Sequence, residues 1–312
     1  MQTIREKRTK SGPLLEIDYY PVFSSSGRAV PRKKPPPEKK TEYNLRESAK
    51  RLVRLINANF DRKDYFMAIT YAAEAAPQTE EETRRDFSNY LRRVKTKRAS
   101  DLKKVEKQLR ELPLDGSLKD LRRELMAKRR KLRRPMKAAY TLEQITYQRG
   151  PYRGRANWHS HLFVTGGLEP RTMARIWKKG VQVKCDYYQP ERFGPEAAGR
   201  YMFKSPKGKK KFTCTKNMKK PDVSQKDGKI SAATVEKMAT QRMDDGRYWQ
   251  GKAPGYRLLR TYPRYDEYNG HWYMTVVMYK ADADEIIPFV GDIFEPEGYD
   301  RHENKDLHKS GP

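Results

Sequence analysis

Cysteine, histidine and long apolar runs are scarce in this chain. Only two cysteines, Cys185 and Cys214, occur among 312 residues. They form no CxxC pair, which argues against a zinc finger or a disulfide framework and leaves them as small buried apolar residues. No apolar run approaches the ~20 residues needed for a transmembrane helix, so no membrane association of that kind is expected. The first ten residues lack the apolar core of a signal peptide, and the expected location is cytoplasmic. There is no GxxxxGK[ST] loop, so any strand unwinding would have to come from a partner. No internal repeat is evident.

Positive charge is abundant instead. The chain holds 68 Lys+Arg against 40 Asp+Glu, a formal net charge of +28, with only 36% hydrophobic residues and a mean hydropathy of −1.05. The basic residues are spread along the whole chain rather than gathered beside an anchor. Such a surface suits a polyanion, and nucleic acid is the leading candidate because neutralising phosphates releases counterions.

Periodicity and turn signals divide the chain. Residues 1–40 read as a basic arm, a strand-like stretch Leu14 to Phe23 and a Pro/Lys-rich linker ending in Pro35-Pro36-Pro37. Leu45, Ala49, Leu52, Val53, Ile56 and Phe60 fall at helical spacing, and Asn44 with Glu47 resembles a capping box at the start of a helix over about 45–59. A strand follows at 65–71. Thr79 and Glu82 then open a helix with Phe87, Tyr90, Leu91 and Val94 on its apolar stripe. Residues 100–136 read as a helical hairpin turned at Pro113-Leu114-Asp115-Gly116, its second arm ending in the run Lys128-Arg129-Arg130-Lys131-Leu132-Arg133-Arg134. That run is either a solvated face or a contact to a phosphate backbone. Later come a helix over 170–177, a strand over 181–187, a helix over about 232–243 and a hairpin with strands 257–265 and 272–279 turned at Asn269-Gly270. An acidic tail covers 282–312.

The most informative stretch is Asn157-Trp158-His159-Ser160-His161-Leu162-Phe163-Val164. It reads as a strand, and residues two apart on a strand share a face, so two of the five histidines project side by side. They are either polar residues on a half-buried strand or a divalent-metal site. A strand over about 138–147 leads into it through Gly150-Pro151-Tyr152-Arg153-Gly154. With the turn centred on Tyr152, Glu143 falls opposite His161 and Ile145 opposite His159, which places Glu143 on the histidine face; a slip of one residue would bring Gln144 or Thr146 there. Further on, Pro195 and Ser205-Pro206 frame a helix of about ten residues in which Ala197, Tyr201 and Lys204 share a face. Trp158 is either buried or placed to stack on an unpaired base, while Arg153, Arg155, Lys207, Lys209 and Lys210 could follow a nucleic-acid backbone.

If these parts meet, a divalent ion held by His159, His161 and a carboxylate could stabilise a scissile phosphate while Tyr201 attacks it, with Lys204 offsetting charge. Three motifs in this order resemble the HUH endonuclease superfamily, and within it the rolling-circle replication initiators of bacterial phages and plasmids. They are a first strand ending in Ile69-Thr70-Tyr71, the paired His159 and His161, and Tyr201-Met202-Phe203-Lys204 as a YxxK motif. Gly199-Arg200-Tyr201 with Ser205-Pro206-Lys207-Gly208-Lys209-Lys210, and Lys216-Asn217-Met218-Lys219-Lys220-Pro221, resemble initiators of Gram-positive bacteria.

The resemblance covers about residues 45–221, interrupted at 100–136. It implies an α+β fold in which a central antiparallel five-stranded sheet, RRM-like or palm-like, is flanked by helices and interrupted by the hairpin insertion. The domain layout is then 41–221 for the endonuclease and 222–281 for a C-terminal helix plus β-hairpin. The resemblance also implies Mg2+ or Mn2+ dependence, nicking of a single-stranded or hairpin origin, and a 5′-phosphotyrosine intermediate. In it Tyr201 is the nucleophile, Lys204 its helper, and His159 and His161 metal ligands; the third ligand is Glu143 or, in reserve, Glu74. Ser160 departs from the family's usual hydrophobic residue, which would weaken packing on the far face. A host helicase and polymerase are the implied partners. A relaxase or single-strand transposase of the same superfamily, and a non-catalytic nucleic-acid-binding protein, are the competing readings. The helical hairpin could also act as an oligomerisation arm.

Overall fold

The computed structural model describes residues 2–23, 37–113, 116–149, 151–180, 182–190, 194–204, 206–208 and 210–280. The Pro/Lys-rich linker over 24–36, the acidic tail and Lys209 lie outside the described residues. The architecture is α+β, with two five-stranded antiparallel sheets and helices packed on both. No helix is long and apolar enough to cross a membrane among the described residues.

The first sheet has the order β6-β3-β5-β4-β7, built from β3 (Tyr65–Thr70), β4 (Ala138–Thr146), β5 (Ala156–Val164), β6 (Gln182–Tyr187) and β7 (Thr213–Cys214). The histidine strand β5 is therefore central. One face of this sheet carries Met67, Ile69, Tyr140, Leu162 and Val164, covered by α2 (Glu80–Glu111), α3 (Lys119–Arg133) and α4 (Pro170–Ile176). Phe87, Tyr90 and Trp177 fill that layer with ring–ring contacts. The other face carries Ala139 and Phe163 and meets α1 (Pro37–Asn59) and α5 (Ala197–Met202).

Two expected helix boundaries shift in α1 and α2. The helix opened by the Thr79–Glu82 capping box, present as read, runs without a break through the first arm of the expected hairpin and spans 32 residues. Its apolar stripe continues through Arg98, whose guanidinium donates to the carbonyls of Thr165, Gly166, Lys131, Leu132 and Arg134 and so ties α2 to the end of α3 and of β5. Likewise α1 starts at Pro37, so Asn44 sits inside the helix and does not cap it.

The second sheet has the order β8-β1-β2-β10-β9. It joins β1 (Gln2–Ser11) and β2 (Leu14–Phe23) from one end of the chain to β8 (Asp222–Asp227), β9 (Tyr256–Asp266) and β10 (His271–Lys280) from the other. The expected basic arm is thus strand β1, paired to β2 and β8 along its length. Its alternating cations hid an edge-to-edge hairpin whose alternate residues, such as Ile4, point into a core shared with Trp249, Val276 and α6 (Ala232–Gln241). The 222–281 region is not separate, because its hairpin β9–β10 pairs with β2; the remaining helix is α7 (Gly246–Lys252). Gly270, at φ +67°, turns the hairpin as the Asn-Gly signal predicts.

Helix α1 lies between the two sheets. Leu52 and Ile56 pack with Phe163 and Ala139 of the first sheet, and Val53 packs with Leu14, Val277 and Tyr279 of the second. Such a two-sided apolar surface is what a helix needs to be buried on both flanks.

Candidate metal and tyrosine site

The site starts from the pairing of β5 with its neighbours. His159 lies opposite Glu143 on β4 and Thr70 on β3, and His161 lies opposite Thr141 and Ala68. This corrects the expected register, in which Glu143 faced His161. Tyr147 pairs with Arg155 and Gly154, so the turn is centred one residue earlier than expected and β4 slides by two. A slide of two preserves which face each side chain occupies, so Glu143 remains beside the histidines. Its Oε2 lies 3.5 Å diagonally from Nε2 of His161. One ligand atom from each of Glu143, His159 and His161 lies within 4.8 Å of the others, the single cluster of that kind among the described residues.

The environment keeps these groups ready to bind a cation. Burial, then the neighbouring His161, brings the pKa of His159 down to about 4, against the pull of Glu143, so its imidazole is neutral at pH 7. The Nδ1 of His159 is hydrogen-bonded to Oγ1 of Thr70 at 2.7 Å, and in the tautomer in which Nδ1–H donates to that oxygen Nε2 is left for a ligand. Burial would raise the Glu143 carboxyl, but the hydrogen bond from His161 and the charges of His161, His159 and Lys204 outweigh it and hold the pKa below the usual value. His161 is 3% exposed and its Nδ1 is buried without a hydrogen-bond partner. Two imidazoles and a carboxylate form a mixed nitrogen and oxygen set that fits a divalent cation.

Tyr201 reaches this cluster from α5. The helix is six residues long, not ten, and ends at Met202, with the Phe203 N–H closing on Arg200 and Tyr201. Met202 is buried beneath it with Phe163 and Tyr188. Gly199 is required here, because a Cβ would overlap the side chain of Val53 on α1. The close approach turns the ring of Tyr201 edge-on to His161, with centroids 4.6 Å apart, and to Phe66 at 6.1 Å. Tyr201 is 45% exposed, so one side of the phenol is open to solvent. Past the helix the chain runs along the outer part of β4, where Pro206 bridges to Glu143 and the Lys207 N–H donates to the Leu142 carbonyl. Between the helix and this return, the Lys204 N–H donates to the Tyr201 carbonyl at 3.3 Å, and its exposed side chain lies in the field of Glu143.

The remaining expected residues divide. Trp158 is 6% exposed and points into the core on the far side of β5, so it cannot stack on a base; the alternation that aims the histidines outward aims it inward. Ser160 shares that inner face and does not disrupt it, since its hydroxyl donates to the Thr141 carbonyl at 2.8 Å. Arg153 is exposed at the β4–β5 turn, and Arg155 lies over the ring of Tyr152, 5.9 Å from its centroid. Glu74 accepts from the Tyr152 hydroxyl at 2.9 Å and is not in the metal cluster. Lys207 and Lys210 are exposed on the loop beyond Tyr201, and Lys209 lies outside the described residues. Both cysteines are free and partly buried, and burial pushes the Cys185 thiol up to about 12.

Two contributors were not read from the sequence. Thr70 was noted only as part of a motif, since its partner is fixed by the β3–β5 register. Phe66, stacked on His161 at 5.9 Å, follows from the same register. No family model, curated protein or solved structure matches this chain.

Proposed function

We propose that this chain is a metal-dependent endonuclease and strand-transfer enzyme for single-stranded DNA, acting through Tyr201 to initiate rolling-circle replication at an origin. The observation that carries the reading is the contact of an exposed tyrosine ring with His161, a member of the one mixed His/Glu cluster among the described residues. A basic chain supplies the attraction for the strand.

In this reading His159, His161 and Glu143 hold Mg2+ or Mn2+, which when bound supplies positive charge at the non-bridging oxygens of the scissile phosphate. Thr70 orients His159 through its hydroxyl. The phenol oxygen of Tyr201 attacks phosphorus, the bond from phosphorus to the 3′-oxygen breaks, and the phenol proton ends on the departing 3′-hydroxyl. The 5′-phosphate remains on the tyrosine, which conserves the phosphodiester energy for a later joining step. Lys204 presents its ammonium to the phosphate or the phenolate. Arg153, Arg155, Lys207 and Lys210 flank the path of the strand. α5 carries a single tyrosine, which makes this a single-tyrosine enzyme in the proposed reading.

The test is a denaturing gel of the protein incubated with single-stranded oligonucleotides carrying origin-derived sequence, with manganese or with EDTA. The expected result is a protein–DNA adduct that needs the metal, disappears in Tyr201→Phe, and falls by more than roughly 100-fold in His161→Ala. An adduct that persists in Tyr201→Phe, or none with the cognate strand, would leave a basic nucleic-acid-binding protein in its place.

A further inference from the structure

The basic helical arm has no part in the chemistry above. α2 is about 48 Å long at ~1.5 Å per residue, which exceeds the ~30 Å of a nine-residue strand such as β5. Arg98 and Arg134 mark where the arm leaves the body, since Arg98 binds the ends of β5 and α3 and Arg134 pairs with Asp64. Beyond them α3 lies against α2 and approaches no other element as closely. The arm is held together by Leu102, Val105, Leu109 and Leu125.

Its outer surface is cationic. α3 carries eight basic and two acidic side chains in 15 residues. Lys119, Arg123, Arg130 and Lys131 are all exposed, and at 100° per residue they span about a third of the helix circumference. Arg123 pairs only with the exposed Asp120 at 3.2 Å, while Lys119, Arg130 and Lys131 form no ion pair among the described residues. Aromatic side chains are missing: no Phe, Tyr or Trp occurs between Tyr90 and Tyr140, in a chain with 20 tyrosines. Base stacking on aromatic rings is the usual means of holding a single strand, whereas a duplex offers mainly its phosphates. The arm has the charge for the second and lacks the rings for the first.

We propose that the outer face of α3 binds the backbone of duplex DNA beside the cleavage site. The choice of DNA rests on the nicking reading; the duplex form rests on the arm itself. The Thr165 end of β5 lies six residues from His159, so the arm root is on the order of 20 Å from the metal cluster. That distance is about six base pairs at ~3.4 Å per pair. The arm would grip the flanking duplex while the tyrosine acts on the unpaired strand.

The experiment measures affinity for a blunt duplex without single-stranded ends, in EDTA, at several salt concentrations. The variants are Lys119→Gln/Arg123→Gln/Arg130→Gln/Lys131→Gln and a control in which Lys216, Lys219, Lys220 and Lys226, exposed elsewhere, become Gln. Each phosphate contact contributes roughly 0.9 to the slope of log affinity against log salt. The arm variant is expected to lose about three units of slope and the control less than one, with the thermal midpoint of both within a few degrees of the parent. A loss below one unit in the arm variant, an equal loss in the control, or loss of binding to anionic lipid vesicles without loss on duplex would overturn the proposal. Adduct formation on a short single strand is scored separately: the arm variant is expected to retain it, and its absence in the parent would remove the nicking reading while leaving the duplex slope standing.

Discussion

The two sheets have the same number of strands and the same antiparallel pairing, yet among the described residues only the first carries a His/Glu group that could hold a metal ion. In the first, the face under α1 and α5 leaves His159 and Glu143 partly exposed, while the rings of Phe66 and Tyr201 cover His161. In the second, one face is sealed by α6 and α7 around Trp249 and the other rests on α1. The sealed sheet is not idle. Arg260 on β9 forms an ion pair with Glu196, the 5%-exposed residue that immediately precedes α5. Asn57 on α1 donates to the Pro195 carbonyl at 2.8 Å. The second sheet therefore fixes, through Arg260, the start of the helix that carries Tyr201; in the proposed reading the division of labour is between holding a cation and aiming a nucleophile.

Arg260→Met tests that division most strongly. Removing the guanidinium leaves Glu196 buried without its partner, a loss of about 3 kcal/mol since Arg260 is itself 18% exposed. Thermal stability is expected to drop, and the rate of adduct formation with it. Affinity for Mn2+, measured by titration calorimetry on the folded variant, is expected to stay within about twofold of the parent. An equal loss of metal affinity would show that the two sheets act as one unit and would break the comparison.

A second contrast concerns pH. The folded-state pKa of His159 is depressed to about 4 from an ordinary 6.5. In metal-free protein the unfolded chain takes up a proton as pH falls through 6.5 and the folded chain does not until about 4. The stabilising contribution is complete above 6.5 and is lost between 6.5 and 4, an effect on the order of 2 kcal/mol after allowance for partial exposure. The Glu143 carboxyl, held low, adds a loss of the same sign at the acid end of the range. Hydrogen exchange, corrected for the intrinsic rate, is expected to speed up over this window in β3, β4 and β5 more than in β2 and β10. Equal acceleration in both sheets would mean that the whole chain opens as one cooperative event.

How much was visible beforehand follows the same line between the sheets. The histidine strand, the strand before it and the tyrosine helix are close in sequence, and a period of two was enough to place Glu143 on the histidine face even with the register displaced by two. The second sheet pairs β2 with β10, residues more than 250 positions apart such as Tyr19 and Met274, and nothing local announces that pairing. The strand Leu14 to Phe23 was legible and its partners were not. Of the two readings of Trp158, the buried one holds, because strand alternation sends it to the side opposite His159 and His161. The length of α5 is not legible in the sequence, because a six-residue helix followed by a turn from Tyr201 to Lys204 leaves the same spacing as a longer helix.

Thr70→Val probes the finest detail of the site. Valine keeps the shape and the β-branching that suit β3, so the strand should form as before. What disappears is the 2.7 Å partner of Nδ1 on His159. In the tautomer in which Nδ1–H donates to Thr70, its loss removes what holds the proton on Nδ1, and the tautomer with Nε2 protonated withdraws that nitrogen from the cation. Mn2+ affinity is expected to fall about 10-fold, equivalent to about 1.4 kcal/mol, and Thr70→Ser, which restores the hydroxyl, is expected to recover most of it. The tautomer is readable from the 15N shifts of the His159 ring in metal-free protein, independently of any activity. A valine variant with the parent's affinity and unchanged ring shifts would mean that burial beside His161 alone sets the proton's position, and the hydroxyl would then be no more than a filler of the sheet.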